Sequence, residues 1–240
     1  MEAHDRQRHA PLVVKIGGSL LGNGARLGST LAIIARARRP LVLVPGGGVF
    51  ADEVRDAQAA LGVTDRVAHR MALLAMHQTG LLIEDAQTRF IAVETMAAIR
   101  HALRANRIPV WLPLRTAADD ETIPADWSVT SDALAARLAE RLRIEAVLLI
   151  KSRCVPQGPS PCELAADGIV DPVFGEIIAR AGLAFRIIGP GEERTLAEIC
   201  LAATGPARSG VGSRRAGYRN ERLRRGARRA AGSLHASTRH

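Results

Sequence analysis

Lysine, aromatic residues, cysteine and long apolar runs are all scarce in this chain of 240 residues. Aromatic residues make up only 3% of the chain against 47% hydrophobic residues, so the core must be aliphatic, as in folds that cover Val/Ile/Leu strands with Ala/Leu helices. No apolar run approaches the ~20 residues of a membrane span, and residues 1–10 lack the apolar segment of a signal peptide. The three cysteines, Cys154, Cys162 and Cys200, are odd in number and unevenly spaced, which indicates neither a disulfide framework nor a zinc site. We expect a cytoplasmic enzyme or binding protein with no membrane partner.

The two lysines follow a positional pattern. Of the 33 lysine and arginine residues only Lys15 and Lys151 are lysine, and each stands where an apolar, strand-like run ends. A lysine ammonium is a compact point charge, whereas the arginine guanidinium is a bulky planar fork. Lysine at these two places suggests sites where a small cation meets a phosphate oxygen. The alternative is a coding bias toward arginine that left two lysines by chance.

Net charge is distributed unevenly along the chain. From Pro206 onward there are ten arginines and one acidic residue, Glu221, whereas the first 205 residues are formally neutral. We therefore predict a single domain over residues 1–205 and a basic tail, 206–240, that is disordered or weakly helical. The tail is open to three explanations: an inert extension, a contact with nucleic acid or a membrane surface, or sequence added after the natural end of the fold. Nucleic acid is not expected as the main partner, because the globular part has no basic excess.

Apolar runs and helical periods alternate along residues 1–205. The spacing predicts strands at 12–16, 41–44, 90–93, 108–112, 146–150 and 185–188. It also predicts helices near 26–38, 50–61, 66–83, 94–105, 133–142, 172–181 and 194–203, with loops at 115–128 and after residue 151. This alternation predicts an α/β fold in which a mostly parallel sheet is covered by helices on both faces. Ligand sites in such sheets lie at the carboxyl ends of the strands.

Two glycine-rich segments follow the first two predicted strands, Gly17-Gly18-Ser19 and Gly46-Gly47-Gly48. Glycine lets the backbone approach an anion closely, and a following helix N-terminus adds positive dipole. The chain lacks both Gly-x-x-x-x-Gly-Lys-Ser/Thr and Gly-x-Gly-x-x-Gly, so neither a Walker A loop nor a nicotinamide cofactor is predicted. We predict two facing cradles for anions or substrate; a tight turn and a close helix–sheet packing point are the alternatives.

Four segments resemble the amino acid kinase superfamily, which includes acetylglutamate, uridylate and isopentenyl phosphate kinases. They are Val14–Ser19, Val44–Gly48, Thr130–Ala135 and Leu148–Ser152, in the order expected for the superfamily. The resemblance implies a three-layer α/β/α sandwich with a mostly parallel central sheet. It also implies phosphoryl transfer from ATP with Mg²⁺, a small phosphorylated substrate and a homo-oligomer, and it assigns no residue to the metal.

The resemblance also implies roles for individual residues. Lys15 would contact the transferring phosphoryl group, Gly17, Gly18 and Ser19 would hold the nucleotide phosphates, and Gly46, Gly47 and Gly48 would hold the acceptor end. Asp132 would orient the two lysines, and Lys151 would lie against ATP. For Asp132 the alternative is an ordinary helix cap, although Thr130 or Ser131 would also serve as the cap.

Within the superfamily the chain resembles a small branch near uridylate kinase, the aminomethylfuranyl-methyl phosphate kinases of methanofuran biosynthesis. The similarity rests on Ala68–Met76, Asp126–Asp132 and Leu149–Ser152. It implies that the acceptor is (5-(aminomethyl)furan-3-yl)methyl phosphate, which would be converted to its diphosphate. His69 stands where uridylate kinases carry an Asp for the nucleotide sugar, and we predict that it contacts the substrate.

The acceptor implied by this branch carries a phosphate, an aromatic ring and an ammonium group. We predict that Arg66 or Arg70 binds the phosphate, Trp127 or Phe50 contacts the ring, and Asp52 binds the amine. The alternatives are solvated helix charges for the arginines and ordinary packing for Trp127 and His69. Three other functions stay open: a uridylate- or isopentenyl-phosphate-type kinase, a nucleotide-binding protein without catalysis, and an RNA-associated protein acting through the tail.

Overall fold

Six parallel strands form one sheet in the computed structural model, which describes residues 10–155 and 158–202 of the chain. In chain order they are β1 (Leu12–Ile16), β2 (Leu41–Pro45), β3 (Phe90–Val93), β4 (Ile108–Trp111), β5 (Ala146–Ile150) and β6 (Ala184–Ile188). Their order across the sheet is β3-β4-β2-β1-β5-β6, and every neighbouring pair is parallel. Each strand lies within about one residue of the range expected from its apolar run, so the predicted α/β fold is confirmed.

Helices connect the strands and cover the sheet. They are α1 (Gly24–Ala35), α2 (Gly48–Leu61), α3 (Asp65–Asp85), α4 (Met96–Arg104), α5 (Leu114–Ala117), α6 (Ser131–Leu142), α7 (Pro161–Ala166), α8 (Pro172–Ala181) and α9 (Glu193–Leu201), with a 3-10 turn over Gly18–Gly22. Within the described residues, no helix combines the length and the apolar character that crossing a membrane requires.

The four central strands, β4, β2, β1 and β5, are buried on both faces, because their side chains point alternately into two aliphatic clusters. Val13 and Val147 belong to the cluster under α4, α6 and α8, whereas Leu12 and Leu148 belong to the cluster under α1 and α9. A sheet packed between two helical layers is the three-layer sandwich that the family resemblance implies. Alternate residues of a strand share a face, so Lys15 follows Val13 toward α6.

The carboxyl ends of β1, β2 and β5 meet at the centre of the sheet. In the parallel register Ile16 lies opposite Pro45 on one side and Ile150 on the other. The two glycine segments and Lys151 therefore leave the sheet side by side. This arrangement confirms that both glycine segments stand at strand ends, where sites in such sheets gather.

Two short helices lie in segments for which the sequence predicts loops. Helix α5 occupies the start of the 115–128 segment, and α7 lies in the segment after β5. For α7 the sequence holds a readable signal, because Ser160 and Glu163 form a reciprocal capping box and Pro161 occupies the first turn. The predicted basic tail, 206–240, lies outside the described residues.

Candidate active site

Three charged side chains meet where β1 and β5 end. The Nζ atom of Lys15 lies 2.9 Å from Oδ1 of Asp132, and Nζ of Lys151 lies 2.5 Å from Oδ2 of the same carboxylate. Lys15 is 5% exposed and Asp132 2%, while the Lys151 side chain is 13% exposed. A single buried carboxylate therefore holds both lysines of the chain, one on each oxygen.

Asp132 reaches the lysines from the first turn of α6. Thr130 is the N-cap of this helix, and its Oγ1 accepts a hydrogen bond from the backbone N–H of Asp132. Capping by a Thr hydroxyl is ordinary at this position. Because Thr130 serves as the cap, the carboxylate of Asp132 is available for the ion pairs with the lysines.

The charges of this cluster determine its protonation. Burial opposes ionisation of the Asp132 carboxyl, but the charges of Lys15 and Lys151 outweigh burial and hold its pKa below the ordinary value. The pKa of Lys151 is lowered by burial and by the charge of Lys15, against the attraction of Asp132. Two ammonium groups paired with the Asp132 carboxylate leave a net positive charge among these three side chains, which favours binding of a phosphate oxygen.

The two glycine segments pack backbone against backbone beside this cluster. A Cβ atom on Gly18 would lie 2.2 Å from the backbone nitrogen of Gly48, and one on Gly46 would lie 2.3 Å from the nitrogen of Gly18. Both distances are far inside contact range, so these positions require glycine. The close packing proposed as an alternative to substrate binding is therefore present, and it holds the N-terminus of α2 next to the end of β1.

A cavity of about 430 Å³ adjoins the lysine cluster and brings together most of the predicted site residues. Its lining includes Lys15, Gly18, Ser19, Gly47, Gly48, Asp52, His69, Trp127, Asp132 and Lys151. Gly17 and Gly46 are buried behind this wall. The apolar part of the lining comes chiefly from α3 and from the segment before α6, with Ala72, Leu73, Met76 and Val129.

A network of side chains joins α2 to Trp127 in the wall of the cavity. The guanidinium carbon of Arg55 lies 4.2 Å from the centroid of the Trp127 ring, and the indole N–H donates to Oε1 of Gln58 at 2.5 Å. Arg55 also pairs with Asp52 at 2.8 Å. The cation–π contact and the ion pair together hold Arg55 against the wall, so the predicted amine ligand, Asp52, already has a cationic neighbour.

Arg66, Arg70 and Phe50 are not part of the cavity lining found in the described residues. Arg66 is exposed and lies 3.7 Å from Asp119, and Arg70 is exposed on α3. One residue turns a helix by about 100°, so Arg70 points away from the cavity that His69 faces. This geometry does not support the prediction that Arg66 or Arg70 binds the acceptor phosphate.

His69 lies buried in the cavity wall and is 5% exposed. Burial lowers the pKa of its imidazole, while a hydrogen bond with the backbone of Asp126 and the charge of Asp126 oppose that change. The lowered pKa favours a neutral ring at neutral pH. His69 therefore offers hydrogen bonding rather than charge to whatever occupies the cavity.

Two charged residues of the lining, Arg55 and Asp171, have no counterpart in the sequence prediction. Arg55 follows Asp52 by three residues, so the helical spacing could have pointed to it. Asp171 precedes Pro172 at the start of α8, a common pattern at helix starts. Its contact with Thr130, 41 positions away, leaves no local signal in the sequence.

A known protein family matches the part of the chain that contains this site. Residues 10–152 match the model of the Amino acid kinase family. The match covers more than half of the chain and includes both glycine segments and the lysine cluster. The chain belongs to the amino acid kinase family.

Individual relatives define the similarity further. The [5-(aminomethyl)furan-3-yl]methyl phosphate kinase of Methanocaldococcus jannaschii is 28% identical over 139 residues, which are 57% of this chain and 63% of the relative. The match thus spans less than two thirds of that protein's length.

Two solved structures are similar in fold. The uridylate kinase of Archaeoglobus fulgidus has a TM-score of 0.59 at 15% identity, covering 82% of this chain and 98% of its own. The carbamate kinase of Giardia lamblia bound to AMP-PNP has a TM-score of 0.53 at 12% identity, covering 79% of this chain and 95% of its own. At these identities the likeness establishes a shared fold, and the predicted amino acid kinase fold is confirmed.

Proposed function

We propose that the chain is an ATP-dependent kinase that transfers the γ-phosphoryl group to a phosphate group on a small acceptor. The observation that carries this proposal is the cluster in which Asp132 holds Lys15 and Lys151 where β1 and β5 end. Membership of the amino acid kinase family supports the same reaction class. In phosphoryl transfer the protein positions the reacting groups and neutralises their charge, and no covalent intermediate is needed. Two fixed ammonium groups would do both.

The nucleotide phosphates would lie between the lysine cluster and the first glycine segment. A lysine ammonium carries three donors, so Lys15 and Lys151 keep donors for phosphate oxygens while they pair with Asp132. Ser19 Oγ lies 2.7 Å from Ser152 Oγ, which adds two hydroxyl groups at the same strand ends. With the backbone at Gly18, these groups would offer ATP a surface rich in hydrogen-bond donors.

Mg²⁺ would be held chiefly by the ATP phosphates and by water. Protein sites for Mg²⁺ usually combine one or two carboxylates with substrate phosphates. In this cavity Asp132 is paired with both lysines and Asp52 with Arg55. Across the described residues, no group of three or more His, Cys, Asp or Glu side chains is arranged to hold a metal ion. When bound, the ion would neutralise phosphate charge that the lysines leave uncovered.

For the acceptor we propose [5-(aminomethyl)furan-3-yl]methyl phosphate, converted to its diphosphate in methanofuran biosynthesis. The named relative supports this choice, as does a wall that combines Trp127 with the apolar side chains of Leu73 and Met76. The acceptor phosphate would meet Lys15 and the N-terminus of α2 at Gly48, where helix dipole and ammonium charge add. A phosphate oxygen is already nucleophilic, so the reaction needs no general base.

A screen of acceptors tests this proposal. The chain is incubated with ATP, Mg²⁺ and the furan phosphate, UMP or isopentenyl phosphate, and ADP release is followed. We expect ADP release that depends on the furan phosphate. Turnover of UMP or isopentenyl phosphate alone would overturn the acceptor and keep the kinase. ATP binding without release of ADP for any acceptor would instead indicate a nucleotide-binding protein without catalysis.

The amine end of the acceptor is tested separately by Asp52→Ala. Loss of this carboxylate should raise the KM for the amine-bearing acceptor and change that of UMP or isopentenyl phosphate little. Glu53→Ala is the matched control, because Glu53 is an exposed neighbour on α2 outside the cavity lining. Unchanged kinetics on the amine substrate would remove Asp52 from the site.

A further inference from the structure

Asp171 is a buried carboxylate that joins two helices beside the lysine cluster. It is 6% exposed and lines the same cavity. Its Oδ1 accepts a hydrogen bond from the backbone N–H of Phe174 at 2.7 Å, which caps α8. Its Oδ2 accepts from the N–H of Thr130 at 3.0 Å, from the hydroxyl of Thr130 at 2.7 Å and from the N–H of Ala133 at 2.9 Å.

The two oxygens of Asp171 have different partners. An ordinary N-cap needs one oxygen to accept from the first turn of its own helix, and Oδ1 does this for α8. Oδ2 contributes nothing to α8 and instead holds the beginning of α6, 41 residues earlier for Thr130 and 38 for Ala133. Those two residues stand on either side of Ser131 and Asp132, so the backbone that carries Asp132 is fixed at both ends.

The charge of Asp171 also reaches the lysine cluster. Burial and the charge of Asp132 raise the pKa of the Asp171 carboxyl, against the hydrogen bonds from Thr130, Ala133 and Phe174. All four hydrogen bonds run toward Asp171, which is the pattern of a carboxylate that only accepts. Its negative charge raises the pKa of Lys151, against the larger lowering by burial and by Lys15. The charge of Asp171 therefore acts on Lys151 from a distance, in addition to the direct ion pair that Lys151 makes with Asp132.

We propose that Asp171 is a positioning residue for phosphoryl transfer, which fixes the first turn of α6 so that Asp132 meets both lysines at once. This inference rests on the proposed kinase function. The physical reason is distance: a carboxylate that moves by about 1 Å would lose one of its two ammonium partners, and misplacement on this scale costs roughly 100-fold in rate. Asp171 itself contacts no reacting atom in this account.

The first test compares the kinetics of Asp171→Asn with those of the wild type. The asparagine side chain has one oxygen that accepts and one nitrogen that donates. The first turn of either α6 or α8 therefore loses its hydrogen-bond acceptor. We expect kcat to fall by about 100-fold while the KM for ATP changes far less, because the nucleotide-binding glycine segment is untouched. The alkaline limb of the pH–kcat profile should move to lower pH, since the charge that favours protonated Lys151 is gone.

The second test reads the lysines directly and needs no substrate. Because the chain holds only two lysines, labelling with [ε-¹³C]lysine gives two side-chain NMR signals that can be titrated with pH. In Asp171→Asn the titration of Lys151 should move to lower pH, because the charge of Asp171 raises its pKa in the wild type. This readout is independent of the acceptor, so it holds even where the acceptor proposal fails.

Two matched variants separate positioning from general stability. Asp120→Asn removes another buried carboxylate that anchors α6, through Arg137, and should lower stability without moving kcat or the lysine signals. Thr130→Val keeps the charge of Asp171 but removes the hydroxyl that donates to Asp171 and accepts from the N–H of Asp132. It should lower kcat, whereas Thr130→Ser should not.

The possible results separate failure of the Asp171 inference from failure of the proposed function. A folded Asp171→Asn chain with wild-type kcat and unchanged lysine titrations overturns the inference, as does a Thr130→Val chain that behaves like Thr130→Ser. Where Asp171→Asn does not fold, the two Thr130 variants decide alone. If the wild-type chain turns over no phosphorylated acceptor, the proposed function is overturned instead. The lysine titrations would then still test whether Asp171 influences the lysine cluster.

Discussion

The Nζ atom of Lys151 lies 2.5 Å from Oδ2 of Asp132, although 19 positions separate the two residues in the chain. The contact joins the end of β5 to the first turn of α6, and the other oxygen of the same carboxylate holds Lys15. Each ammonium therefore occupies one of the two oxygens of the carboxylate. A planar guanidinium would tend to span both oxygens, as arginine does with carboxylates. The contact of both lysines with one carboxylate gives their two positions a chemical explanation.

Lys15→Arg tests whether the cluster needs a compact cation. The fork of arginine should displace Lys151 from Asp132 and crowd the phosphate oxygens, so kcat should fall by roughly 100-fold or more, as when one preorganised donor is removed from a catalytic site. The measurement is ADP release at saturating substrates. Arg38→Lys, an exchange of the same two residue types at an exposed position, is the control. Near-normal turnover in Lys15→Arg would return the lysine pattern to coding bias.

Arg55→Ala tests which arginine serves the acceptor end. Arg55 lines the cavity and holds both Trp127 and Asp52, so its loss should raise the KM for the acceptor by about tenfold, the scale of one hydrogen bond to a charged group. Arg66→Ala should change this KM by less than about twofold, because exposed ion pairs contribute little. The opposite ranking in steady-state kinetics would restore the sequence-based prediction for Arg66.

Gly18→Ala tests the close approach of the two glycine segments. The added Cβ would lie 2.2 Å from the nitrogen and 2.6 Å from the Cα of Gly48, so the segments must separate and both binding surfaces should be lost with the activity. Gly28→Ala is the control, since nothing lies within 4 Å of a Cβ at that position in α1. It should raise the free energy of unfolding by about 0.5–1 kcal/mol. Thermal unfolding and ADP release together check both variants, and an active Gly18→Ala chain would contradict the packing account.

Asp120→Asn tests an acid-dependent contribution to stability. Burial opposes ionisation of Asp120, but hydrogen bonds from Arg137 and Thr122 outweigh it and lower its pKa from 3.8 to about 2. A carboxyl whose pKa is lower in the folded state stabilises the fold above its unfolded pKa, and this contribution disappears as the pH falls from about 4 to about 2. Its size at neutral pH should be about 2 kcal/mol. Denaturant unfolding across this range should show a smaller loss in Asp120→Asn than in the wild type, because carboxyls such as Asp132, whose pKa is also lowered, still titrate in both. Parallel curves would contradict the contribution of Asp120.

The sheet could be predicted from the sequence because its strands are short, largely aliphatic runs of four or five residues, and the four central strands are buried on both faces. Such runs can be recognised from the sequence alone, without any tertiary information. Helix α5, a single turn of four residues, could not be predicted in the same way, because a helix that short depends on its packing rather than on periodicity.

The homo-oligomer and the cytoplasmic location stay predictions.

The site was predictable as far as its motifs are local. Lys15, the two glycine segments and Lys151 are read from residues that follow a strand, and the structure brings them together. The contact between Trp127 and Gln58 joins residues 69 positions apart, and that between Asp171 and Thr130 joins residues 41 apart. Pairings of this kind are set by how the helices pack, and a single sequence carries no periodic signal for them.

Transfer of ³²P from [γ-³²P]ATP to the furan phosphate, compared between the wild type and Lys15→Ala, tests the central claim most directly. The label reports phosphoryl transfer itself, and the substitution removes one ammonium from Asp132 while the other remains. We expect labelled diphosphate from the wild type and a loss of at least about 100-fold in Lys15→Ala. Equal labelling by a folded Lys15→Ala chain, or no labelled product from the wild type with any phosphorylated acceptor, would contradict the claim that this lysine cluster carries phosphoryl transfer.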